Sequence, residues 1–103
     1  MATVIQLHWR EATPELYEQI RHAANWEADR PPGAILHLVG FAEDGMHITD
    51  VWDSPEDFQA FFETRVLPTL QAEAITTQPD MKVFELHGIY APAYGQTTQT
   101  ASV

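Results

Sequence analysis

Residues 34–58 read AILHLVGFAEDGMHITDVWDSPEDF, and more of the architecture can be inferred from this stretch than from any other. Two runs rich in apolar and β-branched residues, 34–42 and 46–53, flank Glu43-Asp44-Gly45-Met46, whose Asp-Gly centre is a strong signal for a two-residue hairpin turn. Such a turn makes Glu43 oppose Met46. Counting outward then pairs Phe41 with Ile48, Val39 with Asp50 and His37 with Trp52, a parity that one bulge would flip. The hairpin runs directly into a helix start: Ser54 is an N-cap, Pro55 suits the first helical position, and Glu56 and Asp57 favour the positive end of the dipole. Phe58, Phe61, Phe62 and Val66 follow at helical spacing, with Arg65 projecting into that aromatic stripe. Pro68 lies inside the helical pattern and removes a backbone donor, so a kink or break is expected there, with residues 70–75 as a second short piece.

Upstream, residues 3–9 alternate Val4, Gln6 and His8 with Ile5, Leu7 and Trp9, the pattern of a half-buried strand. Thr13 and Pro14 then cap a helix expected to reach about residue 28, with Leu16, Ile20, Ala23 and Ala24 as its apolar stripe, Tyr17 at the edge and Glu27 on the same stripe. Arg30-Pro31-Pro32-Gly33 ends it, because neither proline can continue a helix. Downstream, 76–80 is a connecting loop and 82–91 is a fourth alternating segment. Residues 1–91 therefore make one domain, followed by a polar Thr/Gln-rich tail over 92–103.

The element order β-α-β-β-α-β is the ferredoxin-like α+β arrangement, a four-stranded antiparallel sheet in the order 4-1-3-2 with both helices on one face. Two helices cannot cover both faces, yet both parities of the hairpin are apolar: Leu36, Leu38 and Val51 on one side, Ile35, Val39 and Ile48 on the other. A homodimer packing sheet on sheet is the simplest cover.

Composition excludes several function classes. Five Lys and Arg against fifteen Asp and Glu give a net charge of -10, which repels nucleic-acid phosphates and anionic membrane surfaces. No cysteine is present, which removes disulfides, thiolate catalysis and Cys-based metal sites. The N-terminal residues show neither a basic n-region nor a long apolar run, so a cytoplasmic location is expected.

Four of the five histidines, His8, His37, His47 and His87, fall one apiece in the four strand segments. Their imidazoles titrate near working pH, so each is a candidate proton carrier. His37, Asp50 and Trp52 share one face of the hairpin. A carboxylate beside an imidazole orients its tautomer and raises its basicity, as a general base requires, although the same trio could be a cross-strand polar contact. Glu85 and His87 share a face of the fourth strand, as an acid/base pair or as the charged guard of an edge strand. His8 should approach His47, but no third ligand has tell-tale spacing, and no metal is expected. Arg65 reads either as a structural ion-pair partner with Glu27 or as a cation at a pocket mouth. Trp9, Trp26 and Tyr17 read as core or interface, and His22 as solvated.

The length, the element order and the stretch Asp50-Val51-Trp52-Asp53-Ser54-Pro55-Glu56-Asp57-Phe58 resemble the dimeric α+β barrel superfamily, in particular its antibiotic-biosynthesis-monooxygenase-like branch, over residues 3–91. That resemblance implies a homodimeric barrel and a pocket between sheet and helices lined by Trp52. It implies a cofactor-independent oxygenase acting on a small aromatic, polyketide-like molecule. In that reading His37 or His87 removes a phenolic proton, the carbanion reacts with dioxygen, Trp52, Phe58 and Phe62 form the apolar wall, and Arg65 meets the developing oxyanion. The superfamily also holds cyclases, isomerases, haem-degrading enzymes and plain ligand binders. Cyclisation or isomerisation through the same base, and ligand binding without turnover, are the alternatives. The haem-degrading relatives pair a strand Asn with a His, whereas here Asn25 falls in a predicted helix.

Overall fold

In the computed structural model, which describes residues 1–94, four strands form one antiparallel sheet: β1 (Thr3–Trp9), β2 (Ala34–Ala42), β3 (Gly45–Trp52) and β4 (Asp80–Glu85). The spatial order β2-β3-β1-β4 is the expected 4-1-3-2 order viewed from the opposite edge. Helix α1 (Pro14–Ala24) and the broken helix α2 (Pro55–Phe61), π turn (Phe62–Val66) and α3 (Leu67–Ala72) lie on one face. The β1–β3 register sets Ile5, Leu7 and Trp9 opposite Asp50, Ile48 and Met46, and these alternate residues build the layer beneath the helices. Trp9, Met46 and Ile48 pack there against Leu16, Ile20, Val66 and Leu70.

Both helix starts form as their capping residues dictate. Thr13 Oγ1 accepts from Leu16 N–H and Ser54 Oγ accepts from Asp57 N–H, both at 3.1 Å, and a proline follows each cap. Helix α1 stops short of residue 28 because Asn25 adopts the left-handed region (φ 54) and its N–H closes on Arg21 O. Glu27 therefore leaves the apolar stripe. It is exposed and pairs with Arg21 at 2.8 Å instead of meeting Arg65 in the core.

The hairpin register differs from the expected one. Ala42 pairs with Gly45, so Glu43 and Asp44 are the central turn residues, and the ladder runs Phe41 to Met46, Val39 to Ile48 and His37 to Asp50. The Asp-Gly signal was real, but the glycine serves at the start of β3. Gly45 has φ 110, and a Cβ there would come within 2.5 Å of Arg10 Cα, so only glycine lets the turn close against the end of β1. The slip preserves parity, so His37, Asp50 and Trp52 keep a common face. A bulge between Ala34 and Leu36 then puts Ala34 opposite Trp52.

The second helix breaks before Pro68, not at it. The five-residue π turn Phe62–Val66 intervenes, and Pro68 follows at the start of α3, where the regular helical ladder is already interrupted. At the other edge, β4 ends at Glu85 rather than reaching residue 91. Its only neighbour is β1, which begins at Thr3, so the ladder runs out after Leu86 N–H donates to Ala2 O at 2.9 Å. His87 is consequently exposed and outside the sheet. Pro92–Tyr94 form a 3-10 turn, and the rest of the expected tail lies outside the described residues.

On the face away from the helices, Leu38 and Phe84 are 55% and 46% exposed. Among the described residues no helix is long and apolar enough to cross a membrane.

Candidate active site

Between the sheet and the helices lies a cavity of about 540 Å³. Its floor is the helix-side face of β1, β2 and β3, including Leu7, Ile48, Asp50 and Trp52, and its walls are aromatic side chains from both helical segments. The β2 bulge turns Ala34 and Ile35 toward the same space. Gln59, Gln71, Thr76 and Gln78, all exposed, supply polar groups along its rim.

One hydrogen-bonded chain runs along the cavity wall. Trp52 Nε1–H donates to Asp50 Oδ2 at 3.1 Å, His37 Nδ1–H donates to Asp50 Oδ1 at 2.6 Å, and Tyr17 O–H donates to His37 Nε2 at 2.8 Å. Asp50 is 5% exposed. A buried carboxylate persists only when its oxygens are satisfied, and here each oxygen has its own N–H partner. Because an ionised carboxylate can only accept, the bond to Asp50 places the His37 proton on Nδ1 and leaves the Nε2 lone pair for Tyr17. Strand pairing makes this possible: His37 stands directly opposite Asp50, and Trp52 follows two residues later on the same face.

Burial of the Tyr17 ring and hydroxyl, which removes solvation from the phenolate, pushes its pKa up from 10.0 to about 12. Tyr17 is thus a phenol throughout the physiological range, a donor to His37 rather than a competing base. Trp26 packs against both rings, with centroids 5.2 Å from His37 and 5.9 Å from Tyr17, and limits their rotation. Trp26 also meets Phe61 edge-on at 6.2 Å, and the aromatic wall continues from there: Phe61 lies 5.3 Å from Trp52, Trp52 meets Phe58 edge-on at 5.7 Å, and Phe58 contacts Phe62 at 6.1 Å.

Five of the residues singled out from sequence, His37, Asp50, Trp52, Phe58 and Phe62, line this one cavity. Arg65 and His87 do not. The Arg65 guanidinium donates from Nε and Nη2 to Ala24 O at 3.0 and 2.6 Å and from Nη2 to Asp29 O at 2.7 Å, and it lies 5.6 Å from the Phe61 ring centroid. It caps the carbonyl end of α1 and does not line the cavity. His87 was tied to the site only by the assumption that β4 continued past Glu85.

Tyr17, Trp26 and Arg30 line the cavity and were not singled out as site residues. Arg30 Nε donates to Ala34 O at 2.9 Å, and its terminal amino groups have no partner among the described residues. In the sequence it reads only as the approach to Pro31-Pro32. For Tyr17 the available signal was a hydroxyl at the edge of an apolar stripe, which does not distinguish a core tyrosine from a site tyrosine.

No protein-family model matches the sequence, and no curated protein matches it. Solved structures do match in fold. A protein from Chloroflexus aurantiacus provisionally named an antibiotic biosynthesis monooxygenase superposes with a TM-score of 0.62 at 21% identity, covering 88% of this chain and 98% of that one. SnoaB, a cofactor-independent oxygenase from Streptomyces nogalater, gives 0.58 at 16% identity, covering 85% and 94%. A Nitrosomonas europaea protein of unknown function gives 0.58 at 17% identity, covering 88% and 92%. The chain therefore has the ferredoxin-like α+β fold of the antibiotic biosynthesis monooxygenase domain proteins.

Proposed function

We propose that this protein is a cofactor-independent oxygenase of small aromatic, polyketide-like phenols, working as a homodimer. The observation that carries the reading is the Trp52–Asp50–His37–Tyr17 chain on the wall of an aromatic cavity. The likeness in fold to SnoaB supports the choice of reaction class. The exposed Leu38 and Phe84 on the sheet face away from the helices support the dimer.

A planar substrate lies against the aromatic wall formed by Trp26, Trp52, Phe58 and Phe62, with its phenolic hydroxyl hydrogen-bonded to the Tyr17 oxygen. The substrate proton passes to Tyr17 as the Tyr17 proton passes to His37 Nε2. Asp50 stabilises the imidazolium that results, and a positioned base of this kind contributes ~10²–10⁴-fold in rate. Arg30 offers its free amino groups to the phenolate oxygen, taking the role first expected of Arg65. The ring carbanion then bonds to dioxygen, and the peroxide anion recovers a proton from His37 through Tyr17. Loss of water leaves a quinone: one dioxygen is taken up, one oxygen atom stays in the product and the other leaves as water. The apolar walls keep solvent from protonating the carbanion first.

Incubation of the protein with hydroxylated naphthalenes and anthrones under ¹⁸O₂ tests this. The expected product has gained one labelled oxygen and lost two hydrogens. An isomer of unchanged mass would instead assign the same base to cyclisation or isomerisation, and binding without conversion would overturn the enzymatic reading.

A further inference from the structure

On the sheet face away from the cavity, β1 and β3 place His8 directly opposite His47. Their rings lie nearly parallel, with centroids 4.4 Å apart and an interplanar angle of 10°. Both Nε2 atoms point at one residue of the hairpin turn, Asp44. His47 Nε2 is 2.7 Å from Asp44 Oδ1, and His8 Nε2 is 2.8 Å from Asp44 O and 3.4 Å from Oδ2. We propose that His8, Asp44 and His47 form a binding site for a divalent transition-metal ion, Zn²⁺ or Cu²⁺, separate from the cavity and independent of the oxygenase reading.

Three observations carry this. First, the donor set is two imidazoles and a carboxylate, which suits borderline metals such as Zn²⁺ and Cu²⁺ rather than Mg²⁺ or Ca²⁺. Second, the three ligand atoms already lie within 4.8 Å of one another. Around an ion with bonds of ~2.0–2.2 Å, ligand atoms sit roughly 3.3–3.5 Å apart, so small side-chain rotations of partly exposed groups close the site. Third, the surroundings favour a cation and leave it room. Across the sheet the same row continues to Asp80, opposite His8, and to Gly40, opposite His47, where a Cβ would meet nothing within 4 Å. The net charge of -10 adds a long-range attraction.

An ion here would clip the hairpin turn to the end of β1, joining two chain segments at the corner where Gly45 packs on Arg10. Sequence spacing hid the site because Asp44 and His47, three residues apart, lie on a hairpin rather than a helix, and His8 meets them only across the sheet.

Isothermal titration of the full chain with Zn²⁺, and with Cu²⁺ monitored by electron paramagnetic resonance, tests the site. One ion per chain is expected, with Cu²⁺ showing two nitrogen donors. H8Q, D44N and H47Q should each weaken Zn²⁺ binding by about tenfold or more. H22Q and H87Q should bind as the wild type does, and Zn²⁺ should raise the thermal midpoint of the wild type but not of H47Q. The proposal is overturned if the wild type takes up neither metal, if the Cu²⁺ spectrum shows fewer than two nitrogens, or if H87Q or H22Q abolishes binding while H47Q does not. The wild-type spectrum decides the matter even if a variant fails to fold.

Discussion

Replacing Asp50 by Asn removes one charge and nothing of shape, and the geometry dictates how the site responds. The carboxylate accepts from His37 at 2.6 Å and from Trp52 at 3.1 Å, and it is 5% exposed. An asparagine has one carbonyl oxygen, so its amide nitrogen must face one of those two donors. Facing Trp52 Nε1–H would orphan a buried donor at ~1–3 kcal/mol. Facing His37 lets the ring exchange tautomers, with Nδ1 now accepting and Nε2–H turned on Tyr17, which leaves every group next to the substitution bonded. The second arrangement wins. It still exchanges charge-assisted hydrogen bonds for neutral ones, a loss of about 1 kcal/mol. For a domain of this size that lowers the thermal midpoint by ~4–8 °C. D50A, which orphans both donors, should lose about twice as much or more. The base is affected far more than the fold, because Nε2 has lost its lone pair and activity should drop by ~10²–10⁴. Circular dichroism melts give the stability, and ¹⁵N-detected imidazole spectra give the tautomer without any substrate. If D50N keeps the His37 proton on Nδ1, or if D50A melts with the wild type, the hydrogen-bonded chain through Asp50 is wrong.

Three further outcomes are expected from the same structure. Tyr17 has a folded-state pKa raised above its unfolded value, so its contribution to stability is full below about pH 10 and is lost as pH rises toward about 12; a late tyrosinate absorbance step should vanish in Y17F together with part of that alkaline destabilisation, and persistence of the step in Y17F would refute the assignment. R65A removes the donors to the Ala24 and Asp29 carbonyls and should cost about 1–3 kcal/mol in urea denaturation while lowering turnover far less than H37Q does; equal losses of turnover would return Arg65 to the catalytic machinery. Sedimentation velocity should show a dimer that L38E weakens, because Leu38 is 55% exposed on the sheet face away from the helices; a wild-type monomer at assay concentration would contradict the homodimer.

Much of this architecture was legible because local signals and global fold agree. Thr13-Pro14 and Ser54-Pro55 cap their helices through contacts only three residues long, and the alternation in 3–9 indicates which side chains face the helices. The parity that groups His37, Asp50 and Trp52 survived a register slip because a two-residue shift restores the same face. What was not legible depends on tertiary contact. Gly45 could be assigned to the turn's centre or to its exit, and only the close approach of Arg10 decides between them. Asn25 ends α1 through a left-handed conformation that an asparagine tolerates but does not demand. Alternation beyond Glu85 looked like a strand, yet the pairing of β4 with β1 ends at Thr3 and Glu85. The missed cavity residues share one cause: Tyr17, Trp26 and Arg30 lie on or after α1, and nothing in the chain states how far that helix lies from the hairpin.

In the proposed reaction everything depends on His37, held by Asp50 and fed through Tyr17, as the base that makes a phenol reactive toward dioxygen. Oxygen-electrode traces of the wild type and of H37Q on the same hydroxyanthrone, with both proteins shown by circular dichroism to be folded, put that role to the test. The wild type should consume one dioxygen per quinone formed, and H37Q should be slower by ~10²–10⁴. Equal rates of oxygen uptake by the two proteins would remove His37 from the chemistry.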